Sequence, residues 1–394
     1  MDTKNFYQRG RYFECDGKRS KTFIDVLPST LTLQPPQRLL EVYGTGSCYI
    51  TPFKEVKVVP YDQVMPDSVR LFLDEWKGIR AAARTWSAPL LTRPRSYSEG
   101  LLNAVEQALI ECWEPNKFHV VTHSSGYDTR LISVALKRLT EEMGEQWLGE
   151  VVFLEGDGEA EMSKKLLDIE GWGDHRFIKY NAAEQDVHEY HKRSIKFEDA
   201  WKRFESSVGF PLNVWWEPVE WAQEMGYVPA DDQIQCVSGF GSNEIAKGYN
   251  TFQGLGWYSN WIYHHPLSCF KTKGEWLYPY WSMTLWRFMQ IHRLWRYRNC
   301  GIAKHAIRHV APETLQVQGA SIADREPTVR LLSDRLVKQA ADDYSKSWYG
   351  KNIEPHRRPM TNLMDYSPFW GAWCLASLCE HLRQAGYNIE EEIR

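Results

Sequence analysis

The stretch VVTHSSGYDTR at residues 120–130 decides how this chain folds. The short apolar run 118–122 predicts a strand, the small residues of 124–129 predict a turn, and the apolar spacing of 131–142 predicts a helix. A turn of this kind points backbone N–H groups into a concavity at the positive end of the helix, where phosphate is favoured. The alternative interpretation is an ordinary serine-glycine turn between a strand and a helix.

The same order of strand, turn and helix recurs downstream, which indicates a parallel α/β unit. Residues 151–154 form the second predicted strand, and the acidic turn EGDGEAE leads from it into a helix that runs through Leu167. Residues 177–180 and 233–238 are the third and fourth predicted strands. The fourth strand enters a second glycine-bearing turn, GFGSNEIAKGY at 239–249.

The flanking segments have a different character. Residues 1–70 contain short β-like runs between Pro and Gly turns, which predict a small β-rich unit ahead of a larger domain at 71–394. Beyond Trp276 this larger domain is predicted to be mostly helical and aromatic. The other predicted elements are strands at 21–27 and 55–60, helices at 67–83 and 98–112, and a loop at 92–96.

Charge, hydropathy and cysteine content limit the expected partners. Lys and Arg number 47 against 51 Asp and Glu, so no strong field attracts nucleic acid, and we expect no nucleic-acid partner. No segment approaches the roughly 18–20 apolar residues that a membrane helix needs, so no membrane partner is expected. The eight cysteines are scattered without C-x-x-C pairs, which favours reduced thiols and a cytoplasmic location.

Four segments in order resemble the synthetase domain of asparagine synthetases and β-lactam synthetases, which are ATP pyrophosphatases. SSGYDT at 124–129 is similar to their S-G-G-x-D-S pyrophosphate loop, and 151–180 resembles their second strand, the helix after it and the next strand. SGFGSNEIAKGY at 238–249 resembles S-G-E-G-S-D-E-x-x-G-G-Y, and AKHAIR at 303–308 resembles the K-x-x-L-R helix. The resemblance covers roughly residues 98–330.

The resemblance implies an adenine nucleotide alpha hydrolase-like fold, in which a parallel sheet carries helices on both faces and ATP lies at the carboxyl ends of the strands. It also implies a carbon–nitrogen ligase. A substrate carboxylate attacks the α-phosphorus of ATP, pyrophosphate leaves, and an amine displaces AMP to form an amide. ATP and Mg²⁺ are the implied cofactors, and the implied binding residues are Ser124, Ser125, Gly126, Asp128, Thr129, Ser238 and Gly239.

The second glycine-bearing turn departs from the family pattern. The family usually has Glu where this chain has Phe240, and Asp where it has Asn243, while Glu244 is retained. Asp128 and Asn243 are the expected Mg²⁺ ligands, although an amide binds the ion more weakly than a carboxylate. β-lactam synthetases also lack the first Glu and have an aromatic residue there, so its loss is compatible with adenylation.

A cation that the family places against pyrophosphate, just beyond an L-P dipeptide, has no counterpart here. Lys304, Arg308 and Arg325 are the candidates to replace it, and the alternative is that they are ordinary surface cations. Together with Asp128 and Glu244, Lys304 completes the expected catalytic set.

The N-terminal unit resembles a remnant of a glutaminase domain. EVYGTGSCYITPFKEVKVVP at 41–60 looks like the closing strands of that domain, but position 2 is Asp2 where a catalytic cysteine is needed, and Cys15 lacks an adjacent α-amino group. We therefore expect no glutamine hydrolysis. The expected partners are a small-molecule carboxylate and an amine or ammonia donor, with a homodimer or a separate glutaminase or acceptor protein as further options.

Several interpretations stay open at this level. The chain is either an active ligase or a nucleotide-binding or structural protein that kept the fold and lost the chemistry; a thiolating member of the wider superfamily fits less well. His123 is either a base or a structural hydrogen-bonding residue. Glu155, Asp157 and Glu159 either face the site or are solvated groups at a helix start.

Overall fold

A computed structural model defines the fold around the 120–130 stretch and in parts of both flanks. The residues that it describes are 12–20, 22–35, 51–59, 94–156, 159–180, 186, 189, 196–201, 216–230, 233–239, 275–277, 279–282, 284–285, 288, 301–318, 334–352 and 368–390.

Ten strands and nine α-helices lie within these residues. The strands are β1 (Tyr12–Cys15), β2 (Lys18–Ser20), β3 (Thr30–Thr32), β4 (Lys57–Val59), β5 (Phe118–His123), β6 (Val151–Glu155), β7 (Phe177–Lys179), β8 (Ile234–Val237), β9 (Glu275–Leu277) and β10 (Asn388–Glu390). The helices are α1 (Pro94–Cys112), α2 (Tyr127–Met143), α3 (Glu145–Leu148), α4 (Ala160–Ile169), α5 (Trp216–Glu224), α6 (Gly301–Val310), α7 (Asp334–Lys346), α8 (Trp348–Asn352) and α9 (Pro368–Gln384).

The central sheet has five parallel strands in the order β7-β6-β5-β8-β9. Strand β5 lies in the middle, with Val121 opposite Phe153 of β6 and Val237 of β8. All residues of β6 and β8 are buried, and so are five of the six in β5. Because successive side chains point to opposite faces, both faces of these strands are covered. The prediction of a parallel α/β unit is confirmed.

Sequence patterns missed two features near this sheet. Strand β9 lies at the start of the segment predicted to be mostly helical, and three residues are too few to show a period. Helix α1 begins at Pro94, so the predicted loop at 92–96 is wrong for residues 94–96. Proline is well accepted in the first turn of a helix, because the N–H that it lacks has no partner there.

The N-terminal segment forms a small β unit. Strand β1 pairs antiparallel with β2 and β4, and β3 pairs in parallel with the C-terminal strand β10. The predicted strand at 21–27 is wrong, since Ile24–Val26 is a short 3-10 helix. Ser20 Oγ donates to Asp25 and accepts from the Thr22 amide, and such local side-chain bonds turn the chain away from an extended path.

Two hydrophobic cores are present. One lies between the central sheet and helices α1, α2 and α6, which pack against one another. The other joins the N-terminal strands to the C-terminal helices, with Phe13, Phe23 and Phe53 on one side and Trp373 and Leu378 of α9 on the other. The C-terminal helices therefore share a core with the β-rich unit. The predicted boundary between residues 70 and 71 lies outside the described residues and stays a prediction, as does the helix at 67–83.

Two predictions from composition can be compared with this fold. None of the helices in the described residues is long and apolar enough to cross a membrane. Five of the eight cysteines are described, and all five are buried free thiols: Cys15, Cys112, Cys236, Cys374 and Cys379. For these five, the expectation of reduced thiols agrees with the structure.

Candidate functional site

The turns that follow β5 and β8 meet at the carboxyl edge of the sheet. The chain leaves β5 towards β6 and β7 on one side, and β8 and β9 lie on the other side, so the strand order reverses between β5 and β8. In open α/β sheets the crevice at such a reversal is the usual ligand position. Two segments border it, residues 124–126 and residues 238–239.

The turn after β5 is only three residues long, because α2 begins at Tyr127, four residues earlier than the pattern at 131–142 predicts. Gly126 is the N-cap, with an extended backbone at φ −65° and ψ 149° and no side chain to cap the helix. Asp128 and Thr129 thus lie in the first turn of the helix. The amides of a first helical turn have no partner inside the helix, so they form the positive end that attracts anions.

Thr129 holds the turn in shape through its hydroxyl group. Oγ1 accepts from the Ser124 amide at 3.2 Å and lies 3.1 Å from the Ser124 carbonyl and 3.2 Å from that of Gly126. The Gly126 amide in turn donates to Ser124 Oγ at 3.2 Å. Ser124 and Thr129 are both buried, so these bonds are shielded from water and preorganise the turn.

A carboxylate of the protein itself, that of Glu159, is bound to this turn. Glu159 Oε2 accepts from the Ser125 amide at 2.8 Å and from Ser125 Oγ. Glu159 is 3% exposed, and its own amide donates to Glu155 Oε1 at 2.9 Å. The Glu159 carboxylate stands in for an oxyanion at Ser125, so the donors of this turn fit a phosphate group. Of the three acidic residues considered from the sequence, Glu155 and Glu159 are buried beside the turn, which argues against solvated capping groups.

Gly239 brings the two turns into direct contact. A Cβ atom at this position would lie 2.9 Å from Thr129 Cγ2, 3.1 Å from the Thr129 amide nitrogen and 3.3 Å from the Asp128 carbonyl carbon. Only glycine permits this approach without a shift of the backbone. The amide of Ser238 donates to the Leu277 carbonyl at 3.0 Å, which ties the second turn to β9.

Tyr280 supports the start of α2 from the segment after β9. Its hydroxyl group donates to the Asp128 carbonyl at 2.7 Å. Burial, followed by the charge of Asp128, raises the pKa of Tyr280 well above its ordinary value, so this phenol remains a neutral donor. No sequence motif marked Tyr280, because its role depends on the packing of a residue more than 150 positions away.

Asp128 and Lys304 are the described members of the expected catalytic set. Asp128 is half-buried at the start of α2, and Lys304 is exposed on α6. Lys304 Nζ lies 5.3 Å from the centre of the Tyr127 ring, so the cation is near the same helical turn. Arg308, the second candidate cation, is exposed one turn further along α6. The structure therefore brings Lys304, which lies in the segment that resembles the K-x-x-L-R helix, close to Tyr127, 177 positions earlier in the sequence.

His123 has the surroundings of a structural residue. It is 1% exposed at the end of β5, and its Nδ1 lies 2.6 Å from Ser163 Oγ. Burial, followed by the charge of Arg130, lowers the pKa of His123 to about 3. A general base works best with a pKa near the working pH, so this environment favours the structural interpretation.

Arg130 is the site residue that the sequence interpretation overlooked. It is fully buried directly below the turn, and its guanidinium donates to the Ser125 carbonyl at 2.7 Å. Further bonds reach the carbonyls of Thr314 at 3.0 Å and Val317 at 3.2 Å. Arg130 lies four residues before Val134 and therefore on the same, buried face of α2. This helical spacing is the sequence signal that could have revealed Arg130 as a buried residue.

Several expected residues lie outside the described part of the chain. They are Asp157, Phe240, Asn243, Glu244 and Arg325. The expected pairing of Asp128 with Asn243 around Mg²⁺ is thus untested. Among the described residues no group of three or more His, Cys, Asp or Glu side chains is arranged to hold a metal ion.

No protein-family model matches this chain, and no curated protein is significantly similar to it. The resemblance to the synthetase domain therefore rests on the four short segments. Function has to be inferred from the residues and geometry of the site.

Proposed function

We propose that this chain is an ATP-dependent ligase, similar in chemistry to asparagine synthetase, that forms AMP and pyrophosphate while joining a carboxylate to an amine or ammonia. In this proposal the nitrogen comes from ammonia or from an amine on the substrate or an acceptor. In the proposed reaction a carboxylate oxygen forms a bond to the α-phosphorus as the bond to pyrophosphate breaks. An amine then forms the carbon–nitrogen bond, AMP leaves, and the amine proton passes to solvent.

One observation carries this proposal. The turn between β5 and α2 lies at the reversal of strand order, already binds an anionic carboxylate through Ser125, and is fixed against the second turn by Gly239. An ordinary serine-glycine turn requires none of these features. Their coincidence with the four resembling segments favours a polyphosphate ligand over a purely structural turn.

Each described residue has a proposed part. The first-turn amides of α2 and the hydroxyl groups of Ser124, Ser125 and Thr129 hold pyrophosphate oxygens, with Lys304 as an exposed counter-charge. Asp128 is the described candidate ligand for Mg²⁺, which when bound neutralises charge on the departing pyrophosphate. Ser238 and Gly239 border the nucleotide from the β8 side.

A second candidate function is nucleotide binding without chemistry. The specific observation in its favour is that Phe240 and Asn243 stand where the family pattern has two acidic residues. A phenyl ring can neither accept a proton nor bind an amine.

Pyrophosphate release separates the two functions. The purified chain is incubated with ATP, Mg²⁺ and a panel of carboxylates, with and without ammonia, and the Asp128→Ala variant is assayed in parallel. Glu161→Ala is the matched control, because Glu161 is an exposed carboxylate in the first turn of α4. The ligase is supported if the parent releases pyrophosphate, the Asp128→Ala variant does not, and the Glu161→Ala variant still does. If the chain binds ATP but releases no pyrophosphate with any carboxylate of the panel, the second function is supported. If the chain does not bind ATP, both functions are contradicted.

A further inference from the structure

The guanidinium of Arg130 is a buried charge whose described partners are neutral. Its three hydrogen bonds go to the backbone carbonyls of Ser125, Thr314 and Val317, and Nε has no partner within the described residues. None of the described carboxylates forms an ion pair with it. Burial lowers the pKa of Arg130, but an arginine remains charged at neutral pH.

The position of this charge on α2 is electrostatically unfavourable on its own. The Arg130 amide makes the first bond of the helix, to Gly126, so the side chain belongs to the positive end of the helix dipole. Glu170 acts on Arg130 electrostatically, yet burial raises the pKa of Glu170 to about 7 and leaves that carboxyl partly protonated. A buried charge in low dielectric interacts over longer distances than a surface charge, and it is screened less by salt.

Ser125 connects this charge to the proposed phosphate site. Its carbonyl accepts from Arg130, while its amide and hydroxyl group donate to the Glu159 carboxylate. One residue thus separates a buried cation from a bound anion. The cation also lies against Tyr127, with Cζ 4.8 Å from the ring centre, and Lys304 contacts the same ring from the surface.

From this arrangement we propose that Arg130 supplies, from inside the protein, the positive charge that makes the β5–α2 turn select a polyphosphate over neutral ligands. The inference rests on the proposed function and names a residue beyond it. Arg130 acts through the Ser125 peptide and is a positioning residue, without direct contact to the ligand. It takes over part of the task of the pyrophosphate lysine that has no counterpart in this sequence.

The test removes the positive charge of Arg130 in one variant and the negative charge of Glu159 in another. The inference predicts opposite effects of these two changes on the affinity for pyrophosphate. Binding of inorganic pyrophosphate and of uncharged adenosine to the full chain is measured by calorimetry at low and high salt. The variants are Arg130→Gln, which keeps a hydrogen-bond donor, Arg130→Lys, which keeps the charge, and Glu159→Gln, which keeps the shape. Lys304→Gln is the matched surface control.

The inference predicts that Arg130→Gln weakens pyrophosphate binding by about tenfold at both salt concentrations and leaves adenosine binding unchanged. Arg130→Lys retains most of the affinity for pyrophosphate, and Glu159→Gln increases it. Lys304→Gln also loses affinity for pyrophosphate, but this loss is smaller at high salt, because salt screens surface charges.

Other outcomes overturn the inference. Equal losses of pyrophosphate and adenosine affinity in Arg130→Gln, or weaker pyrophosphate binding by Glu159→Gln, mean that the two residues only hold the fold. If Arg130→Gln does not fold, Arg130→Lys decides, and equal losses of pyrophosphate and adenosine affinity in that variant overturn the inference. If the parent protein binds neither pyrophosphate nor adenosine, the proposed function and this inference are both refuted. If the parent binds both ligands but the variants do not behave as predicted, only this inference is refuted and the proposed function stands.

Discussion

Gly239→Ala is the change with the most direct consequence for the site. The added Cβ would lie 2.9 Å from Thr129 Cγ2, 3.1 Å from the Thr129 nitrogen and 3.3 Å from the Asp128 carbonyl carbon. Favourable contacts between carbon atoms need about 3.5–4.0 Å, so the two turns must separate by several tenths of an ångström. Two of the three atoms belong to the backbone of α2, and no rotamer change can relieve those contacts.

The expected cost in the free energy of unfolding is about 1–3 kcal/mol, the range for an added methyl group in a packed interior. Function is expected to suffer more than stability. A displacement of up to about 1 Å at a catalytic centre can reduce the rate by about a hundredfold. Stability is measured by denaturant unfolding, and function by the affinity for pyrophosphate and by pyrophosphate release.

Gly126→Ala is the matched control for stability. Its backbone angles suit alanine, and the added Cβ meets only Ser124 Oγ, at 3.2 Å, so a shift of a few tenths of an ångström in one side chain accommodates it. We expect a change below about 1 kcal/mol in its free energy of unfolding. If Gly239→Ala were as stable as the parent and bound pyrophosphate equally well, close packing of the two turns could not be what shapes the site.

Three further predictions concern bonds and charges around the same sheet. Thr129→Val should destabilise the protein by about 1–3 kcal/mol, because the Ser124 amide loses its acceptor, whereas Thr129→Ser should retain most of the stability; equal unfolding midpoints for the two variants would contradict this. Tyr280→Phe should cost about 1 kcal/mol through loss of the bond to the Asp128 carbonyl, and an unchanged thermal midpoint would show that this bond contributes nothing. Burial lowers the pKa of His119 to about 4, so the unfolded chain binds more protons than the folded one between pH 4 and 6.5. Stability should therefore fall with decreasing pH in that window, and His119→Asn should reduce the slope of unfolding free energy by up to about 1.4 kcal/mol per pH unit; identical slopes would refute this assignment.

The sheet was predictable because its strands are buried on both faces. FHVVTH and VVFLE are short, mostly apolar runs, each followed by a glycine-bearing turn, and this pattern is sufficient to predict parallel strands with helical connections. The start of α2 was predicted four residues late, because Tyr127, Asp128 and Thr129 have no strong helical preference of their own. Packing against Gly239 and Tyr280 holds them in the helix.

By itself the sequence determined the α/β class, the position of the turn at 124–129 and the chemical types of its side chains, because these depend on local spacing and residue chemistry. Only the tertiary structure decided which distant groups surround that turn. Arg130 below it, Glu159 beside it, Lys304 near Tyr127 and the contact with Gly239 all arise from the order in which the strands assemble. Contacts between residues up to 187 positions apart, such as Arg130 and Val317, follow from packing, which no local pattern along the chain encodes.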